Sequence, residues 1–401
     1  MPRQPFAVIP EGSITSTPGF RAAGVACGLK PTGAPDLALV YSPTPCTAAA
    51  MFTTNAFQAA PVLYDRETLA AHPRDMHGVV INSGCANACT GDRGLQDARA
   101  TADHAGEALG VPGERMAVMS TGVIGAYLPM DKIHAGIALA VEALGEGVDA
   151  GHAAARAIMT TDTRPKEVAV RVAAPGGEYT VAGMAKGAGM IAPNMATLLS
   201  VLTTDAALDP APAQAALREA VEAGFNLITV DGDTSTNDMA IVLSSGKVGA
   251  DLTELEAALT DVCVRLAKKV ARDGEGATKL ITVRVTGGRS VEEARQAART
   301  VAGSNLIKSA VHGADPNWGR ILAAIGRSGA VSDLANVRVA MQGTELYRGG
   351  PVAFDAALVS QRLRQEDVLL EADLAAGNST GEAWGCDLSP EYVRINADYT
   401  T

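Results

Sequence analysis

Residues 186–205 read KGAGMIAPNMATLLSVLTTD, with the Ala196–Thr197 junction near their middle. Two glycines, Gly187 and Gly189, and a rigid Pro193–Asn194 corner precede a β-branched hydroxyl residue and a run of apolar ones. An ordinary loop-to-strand junction needs none of this punctuation, so the pattern singles out Thr197 as a reactive residue. A threonine hydroxyl is a poor nucleophile by itself, but a threonine that has become a chain N-terminus carries its own base, the α-amine, within reach of Oγ. The stretch therefore reads as the processing site of a self-cleaving chain. On chemistry alone the alternative stands beside it: Thr197 as a strand-starting residue that hydrogen-bonds a neighbour.

Working outward, Tyr179–Ala182 forms a strand that leads into the stretch, and Thr197–Thr204 continues extended. The Ala-rich segment Pro210–Ala223 is helical, and Phe225–Val230 is a strand ending in the polar octet Asp231–Asp238, DGDTSTND. Met239–Leu243 resumes a buried strand. Leu252, Leu255, Leu259, Val262, Leu266 and Val270 mark a long amphipathic helix over Asp251–Arg272. Upstream, two strand–turn–helix units recur. Val79–Ile81 leads to the turn Asn82–Asn87 and a helix capped by Asp92 and running to about Leu109; Ala117–Met119 leads to the turn Ser120–Gly125 and a helix over Met130–Leu144. His152–Met159 is another helix, closed by Thr160–Pro165 before a strand over Glu167–Val172. Downstream, a strand spans Lys279–Val285, and Ser290 with Glu293 makes a capping box for a helix to about Ala302. A polar turn, His312–Arg320, precedes a further helix, and strands return near Val337–Met341, Val368–Ala372 and Gly381–Asp387.

Three other motifs lose to their context. Gly187-x-Gly189-x-x-Ala192, with Asp205 beyond, matches the loose dinucleotide fingerprint, but Pro193 and the run LLSVLTT put a strand where a phosphate-binding helix should start. Cys85 and Cys89 are spaced for a metal clamp, yet no second pair follows at zinc spacing. Asp231, Asp233 and Asp238 lack the terminal glutamate of a calcium loop. We read the octet as a structural turn near the site and expect no metal.

Composition sets the outer limits. The chain has 401 residues, 47% hydrophobic and 19% charged, with a formal charge of −11. It can bury a large core and suits two domains. The acidic balance and the lack of a Lys/Arg cluster argue against nucleic acid or an anionic membrane as partner. No apolar run reaches the roughly 18 residues of a membrane span, and the N-terminus MPRQPFAVIPEGS does not read as a signal peptide. A cytoplasmic location with reduced cysteines is the expectation.

KGAGMIAPNMATLLSVLTTDA resembles the processing motif of the arginine-biosynthesis glutamate N-acetyltransferase/ornithine acetyltransferase family. The segments NSGCANACTG, STGVIG, TTDT, DGDTSTND, GEGATK, HGADPNWGR and INADYTT follow the family pattern in order, so the resemblance covers essentially the whole chain. It implies cleavage between Ala196 and Thr197, Thr197 as nucleophile, and Thr121 with Gly122 as the oxyanion hole. It further implies that Thr160, Lys186, Thr197, Glu275, Asn396 and Thr401 contact substrate. In that scheme Lys186 pairs with the α-carboxylate and Glu275 serves the cationic end of ornithine. The implied reaction moves the acetyl group of N2-acetyl-L-ornithine to L-glutamate through a threonyl ester, with no cofactor. Acetyl-CoA as a further donor is left open. Cleavage yields alpha and beta chains that share a core, and the resemblance implies a heterotetramer or larger.

From spacing alone the fold class is mixed α/β (α+β) with helices against antiparallel or mixed sheets. The resemblance sharpens this to a layered αββα sandwich over residues 1–280, containing the cleavage site, and a smaller C-terminal α/β domain over 281–401 that returns its terminus to the site. Two rivals remain: an N-terminal-threonine hydrolase or aminopeptidase of similar fold, and a catalytically idle binding protein.

Overall fold

The structure is a computed structural model that describes residues 6–174, 177–192 and 198–398. Ala196, Thr197 and Thr401 thus lie outside the described residues. The first half runs β1 (Ala7–Val8), β2 (Arg21–Val25), β3 (Leu37–Phe52), α1 (Ala60–Ala71), β4 (Met76–Cys85), α2 (Gly91–Leu109), β5 (Met116–Val123), α3 (Met130–Glu142), α4 (Val148–Ala157), β6 (Lys166–Ala174) and β7 (Gly177–Lys186). The second half begins β8 (Leu199–Ala206), α5 (Pro210–Ala223), β9 (Ile228–Thr229), β10 (Met239–Val248), α6 (Leu252–Arg272) and β11 (Leu280–Gly288). It closes with α7 (Val291–Ala302), α8 (Asn305–His312), α9 (Trp318–Gly326), β12 (Arg338–Met341), β13 (Thr344–Arg348), α10 (Ala356–Leu363), β14 (Asp367–Asp373), β15 (Ser379–Cys386) and α11 (Pro390–Asp398).

Among the described residues, nine strands join in the order β1-β6-β7-β8-β10-β3-β4-β5, with β2 on β3. The long β3 is what folds this array into layers. Its first part, Leu37–Tyr41, pairs with β2 and β4, while Thr47–Phe52 pairs with β10. The two leaves so formed face each other across a shared core: Val40, Ile81 and Met119 from one, Met184, Val201 and Ile241 from the other. Because side chains alternate along a strand, the opposite faces pack outward. Leu37, Leu39 and Val118 meet Ile133 and Ile137 of α3 and Ala98 and Ala102 of α2. Leu202, Ala240 and Val242 meet Leu217 of α5 and Leu259, Val262 and Leu266 of α6. That is helix, leaf, leaf, helix, and burial on both faces explains why these strands read as continuous apolar runs.

A second sheet, β13-β12-β14-β11-β15-β9, carries α7, α9 and α10 on one face around Val283, Val339, Leu370 and Ala383. It also takes in β9, which lies in the chain between α5 and β10, and there Ile228 pairs with Trp384. The 228–229 strand is short because Phe225–Leu227 forms a 3-10 turn, so the expected strand over Phe225–Val230 survives only in part.

Other local differences have identifiable causes. Asp92 sits inside the first turn of α2, whose N-cap is Thr90. Ser290 accepts from Glu293 N as a capping residue should, but the Glu293 carboxylate is drawn to Arg289, on both its backbone N–H and its guanidinium, instead of closing the box. Asp251 does cap α6, accepting from Thr253 N and Glu254 N.

Candidate active site

The expected turns at Asn82–Asn87 and Ser120–Gly125 prove to be strand ends. β4 and β5 run parallel with Asn82 opposite Ser120, Ser83 opposite Thr121 and Gly84 opposite Gly122. They extend this far because the backbones close on each other at two glycines. Gly122 has φ +132°, and a Cβ there would lie 2.3 Å from the Gly84 carbonyl carbon. No other residue fits that approach. Ser120 Oγ donates to Asn82 Oδ1 at 2.6 Å, and Asn82 Nδ2 to Cys85 O at 2.8 Å, which fixes the frame that presents Thr121.

Lys186, the last residue of β7, reaches that strand end: its Nζ lies 3.4 Å from Thr121 Oγ1. It is 8% exposed, and burial pushes its pKa below the ordinary lysine value while Asp162, Asp238 and Glu275 pull the other way. Asp162 anchors this corner. Its carboxylate accepts from Lys166 Nζ at 2.5 Å, Gly187 N at 2.7 Å and Thr160 N at 2.9 Å. Burial works to raise the Asp162 pKa, but Lys166, Lys186 and these N–H donors hold it well below the usual carboxylate range. Lys166 also meets Asp273 at 2.6 Å, so a buried acid–base–acid chain underlies the Thr160 turn.

The opposite wall is acidic. Glu275 N donates to Ala188 O at 2.9 Å, which brings the Glu275 carboxylate against Gly189. A Cβ on Gly189 would stand 2.4 Å from Glu275 Oε1, so this glycine makes room for the carboxylate. Asn396 Nδ2, on α11, donates to Glu275 Oε2 at 2.7 Å. Ser389 Oγ donates to Gly276 O at 2.6 Å and helps seat that helix.

The octet joins the two walls and does more than turn the chain. Asp231 accepts from Met190 N at 2.6 Å and Ile191 N at 2.9 Å, and Thr234 Oγ1 donates to Ala192 O at 2.9 Å. Met239 N donates to Leu198 O at 3.0 Å. The described residues on either side of the 193–197 stretch are thus both held by this segment. Asp238 is buried, and burial pushes its pKa well above the ordinary value.

A cavity of about 140 Å³ lies between these walls. Of the expected site residues, Thr121, Gly122, Thr160, Lys186, Glu275 and Asn396 line it together, although they are scattered over more than 270 positions of sequence. Sequence reasoning missed Tyr392 and gave no role at the cavity wall to Asp231, Asn237 or Asp238, which also line it. The dense polarity of the octet between two apolar strands was the available signal.

Fold and cavity define a layered α/β enzyme built around a small, charged, amino-acid-sized site. The ArgJ family model matches residues 21–401, and the chain belongs to that family. It is 50% identical to the arginine biosynthesis bifunctional protein ArgJ of Symbiobacterium thermophilum, covering 97% of this chain and 99% of the relative. It is 49% identical to the protein of the same name from Dehalococcoides mccartyi, covering 98% of each. Among solved structures, the ornithine acetyltransferase of Mycobacterium tuberculosis complexed with ornithine is 45% identical over 48% of this chain and 100% of that one, with a TM-score of 0.45.

Proposed function

We propose that this enzyme of arginine biosynthesis transfers the acetyl group of N2-acetyl-L-ornithine to L-glutamate through an ester on Thr197. The observation that carries the reading is the charge layout of the cavity. The Lys186 ammonium beside Thr121 suits an α-carboxylate, and the Glu275 wall suits the side-chain ammonium of ornithine.

In the mechanism, cleavage after Ala196 frees the Thr197 amine. That amine takes the Oγ proton as Oγ attacks the acetyl carbonyl, and the oxyanion is held by Thr121 and Gly122. The C–N bond then breaks, the proton passes to the leaving nitrogen, and ornithine departs. Glutamate enters the same pocket, its amine attacks the threonyl ester, and N-acetylglutamate leaves with Thr197 regenerated. The scheme calls for no cofactor and no metal, and acetyl-CoA enters only as an alternative first donor. The alpha and beta chains stay together around the shared core, in a heterotetramer or larger assembly in the cytoplasm. We place the division between catalytic and C-terminal domains near residue 280.

A time course with N-acetylornithine, with and without glutamate, tests the reading. N-acetylglutamate formed only with glutamate supports it; free acetate at the same rate in both makes the chain a hydrolase, and no turnover makes it a binding protein.

A further inference from the structure

We propose that Asn237 is a positioning residue that locks the oxyanion strand end to the strand following the cleavage site, and so sets the geometry of acyl transfer. The proposal rests on the acyl-transfer reading above. In the sheet order, β8 and β5 are separated by β10, β3 and β4, so the strand that follows Thr197 and the strand that carries Thr121 are not neighbours. Any alignment passed through the sheet would accumulate the twist of each intervening pair. Asn237 bypasses that route. It stands two residues before Met239, which begins β10 and whose N–H holds Leu198 O.

The Asn237 side chain is buried, 6% exposed, and committed on both sides. Its Nδ2 donates to Ala86 O at 2.6 Å, just past β4, and to Ser120 O at 2.8 Å, one residue before Thr121. Its Oδ1 accepts from Thr236 Oγ1 at 2.7 Å, which fixes which way the amide faces. Both Nδ2 hydrogens are therefore used on carbonyls from two separate segments, the residue just past β4 and β5 itself, 151 and 117 residues away in sequence. Only a side-chain amide of this length offers two hydrogens and one acceptor in a plane. Aspartate, the same shape, would set a carboxylate against two carbonyl oxygens, and serine offers one donor for two acceptors. Oxyanion stabilisation depends on where the donor sits, and a displacement of about 1 Å can cost on the order of 100-fold in rate. Asn237 touches no reacting atom in this scheme; it acts through Thr121.

The test is a double-mutant cycle of Asn237→Asp and Asn237→Ser with Thr121→Ala, measuring kcat per processed chain, KM for N-acetylornithine and self-cleavage rate in freshly made protein. Each Asn237 variant is expected to lose about 10- to 100-fold in kcat with KM within about twofold. Added to Thr121→Ala, it should cost less than about threefold more, because the donor it aligns is already gone. Multiplicative losses, an unchanged kcat, or a loss confined to KM would overturn the proposal. Should Asn237→Asp fail to fold, the smaller and uncharged Asn237→Ser decides. A wild-type chain that cleaves itself but transfers no acetyl would refute the acetyl reading alone, and the cleavage rates, which pass through a similar oxyanion, would then settle the role of Asn237.

Discussion

The Lys186 ammonium donates to the Thr121 hydroxyl oxygen at 3.4 Å, tying the residue expected to read the substrate carboxylate to the one expected to hold the oxyanion. When Thr121 Oγ accepts from Lys186, its own proton is left to point at the reacting carbonyl. Lys186→Ala should therefore weaken both half-reactions and lower kcat as well as raise KM. Thr121→Ala should lower kcat by about 10- to 1,000-fold with KM little changed. Steady-state kinetics of the two variants separate these outcomes; a pure KM effect in Lys186→Ala would break the link.

The same lysine makes a pH prediction. Burial lowers its pKa, so it loses its proton at a pH below the ordinary lysine value of about 10.4. KM for N-acetylornithine should rise on the alkaline side before that value is reached. A KM flat to pH 10 would contradict the assignment.

Glu275 and Gly189 form a second testable pair. Glu275→Gln removes the charge suited to the ornithine amine but has no such partner in glutamate, so acetyl-enzyme formation should weaken more than its discharge, by roughly 1 to 3 kcal/mol. Gly189→Ala should mimic it, because the added methyl would meet the Glu275 carboxylate at 2.4 Å and push it out of place. Half-reaction kinetics decide; equal losses in both halves would make Glu275 an orienting residue only.

Asp162 links the site to stability. Its folded pKa is depressed, so its contribution is fully present above the ordinary carboxylate value of about 4 and is lost as pH falls through the folded value. Asp162→Asn leaves buried Lys166 with Asp273 alone and should cost about 3 to 5 kcal/mol at pH 7. It should also flatten the loss of stability below pH 4. Urea unfolding across that range measures both, and an acid limb unchanged by the substitution would show that Asp162 does not carry it.

Much of the order of helices and strands was legible because its signals are local, whereas the layering was implied only by the family resemblance. Pro210–Ala223 has the bounds of α5, and of the apolar stripe read for α6 Leu255, Leu259, Val262, Leu266 and Val270 are buried while Leu252, at the helix start, is exposed. What was missed has a physical reason. Helix α11 has no buried residue among those described, so it leaves no apolar period to read, although it brings Tyr392 and Asn396 to the cavity. Helix α8 was hidden because only Ile307, Lys308, Ala310 and Val311 are buried, and a lysine interrupts the stripe. Residues Thr121, Lys186 and Glu275 could be named from motifs, but nothing in the sequence says that Asn237 spans to Ala86 and Ser120. That contact exists only once β3 has folded the leaves together.

In the proposed reaction Thr197, freed by cleavage after Ala196, carries the acetyl group. Intact-mass spectrometry of wild-type and Thr197→Ala protein, mixed with N-acetylornithine and then with glutamate, tests it directly. The wild-type chain should separate into fragments 1–196 and 197–401, the second should gain the mass of one acetyl group at its N-terminal threonine, and glutamate should remove it; Thr197→Ala should stay whole and unmodified. An intact wild-type chain that still transfers acetyl, or an acetyl group found on any other residue, would contradict it.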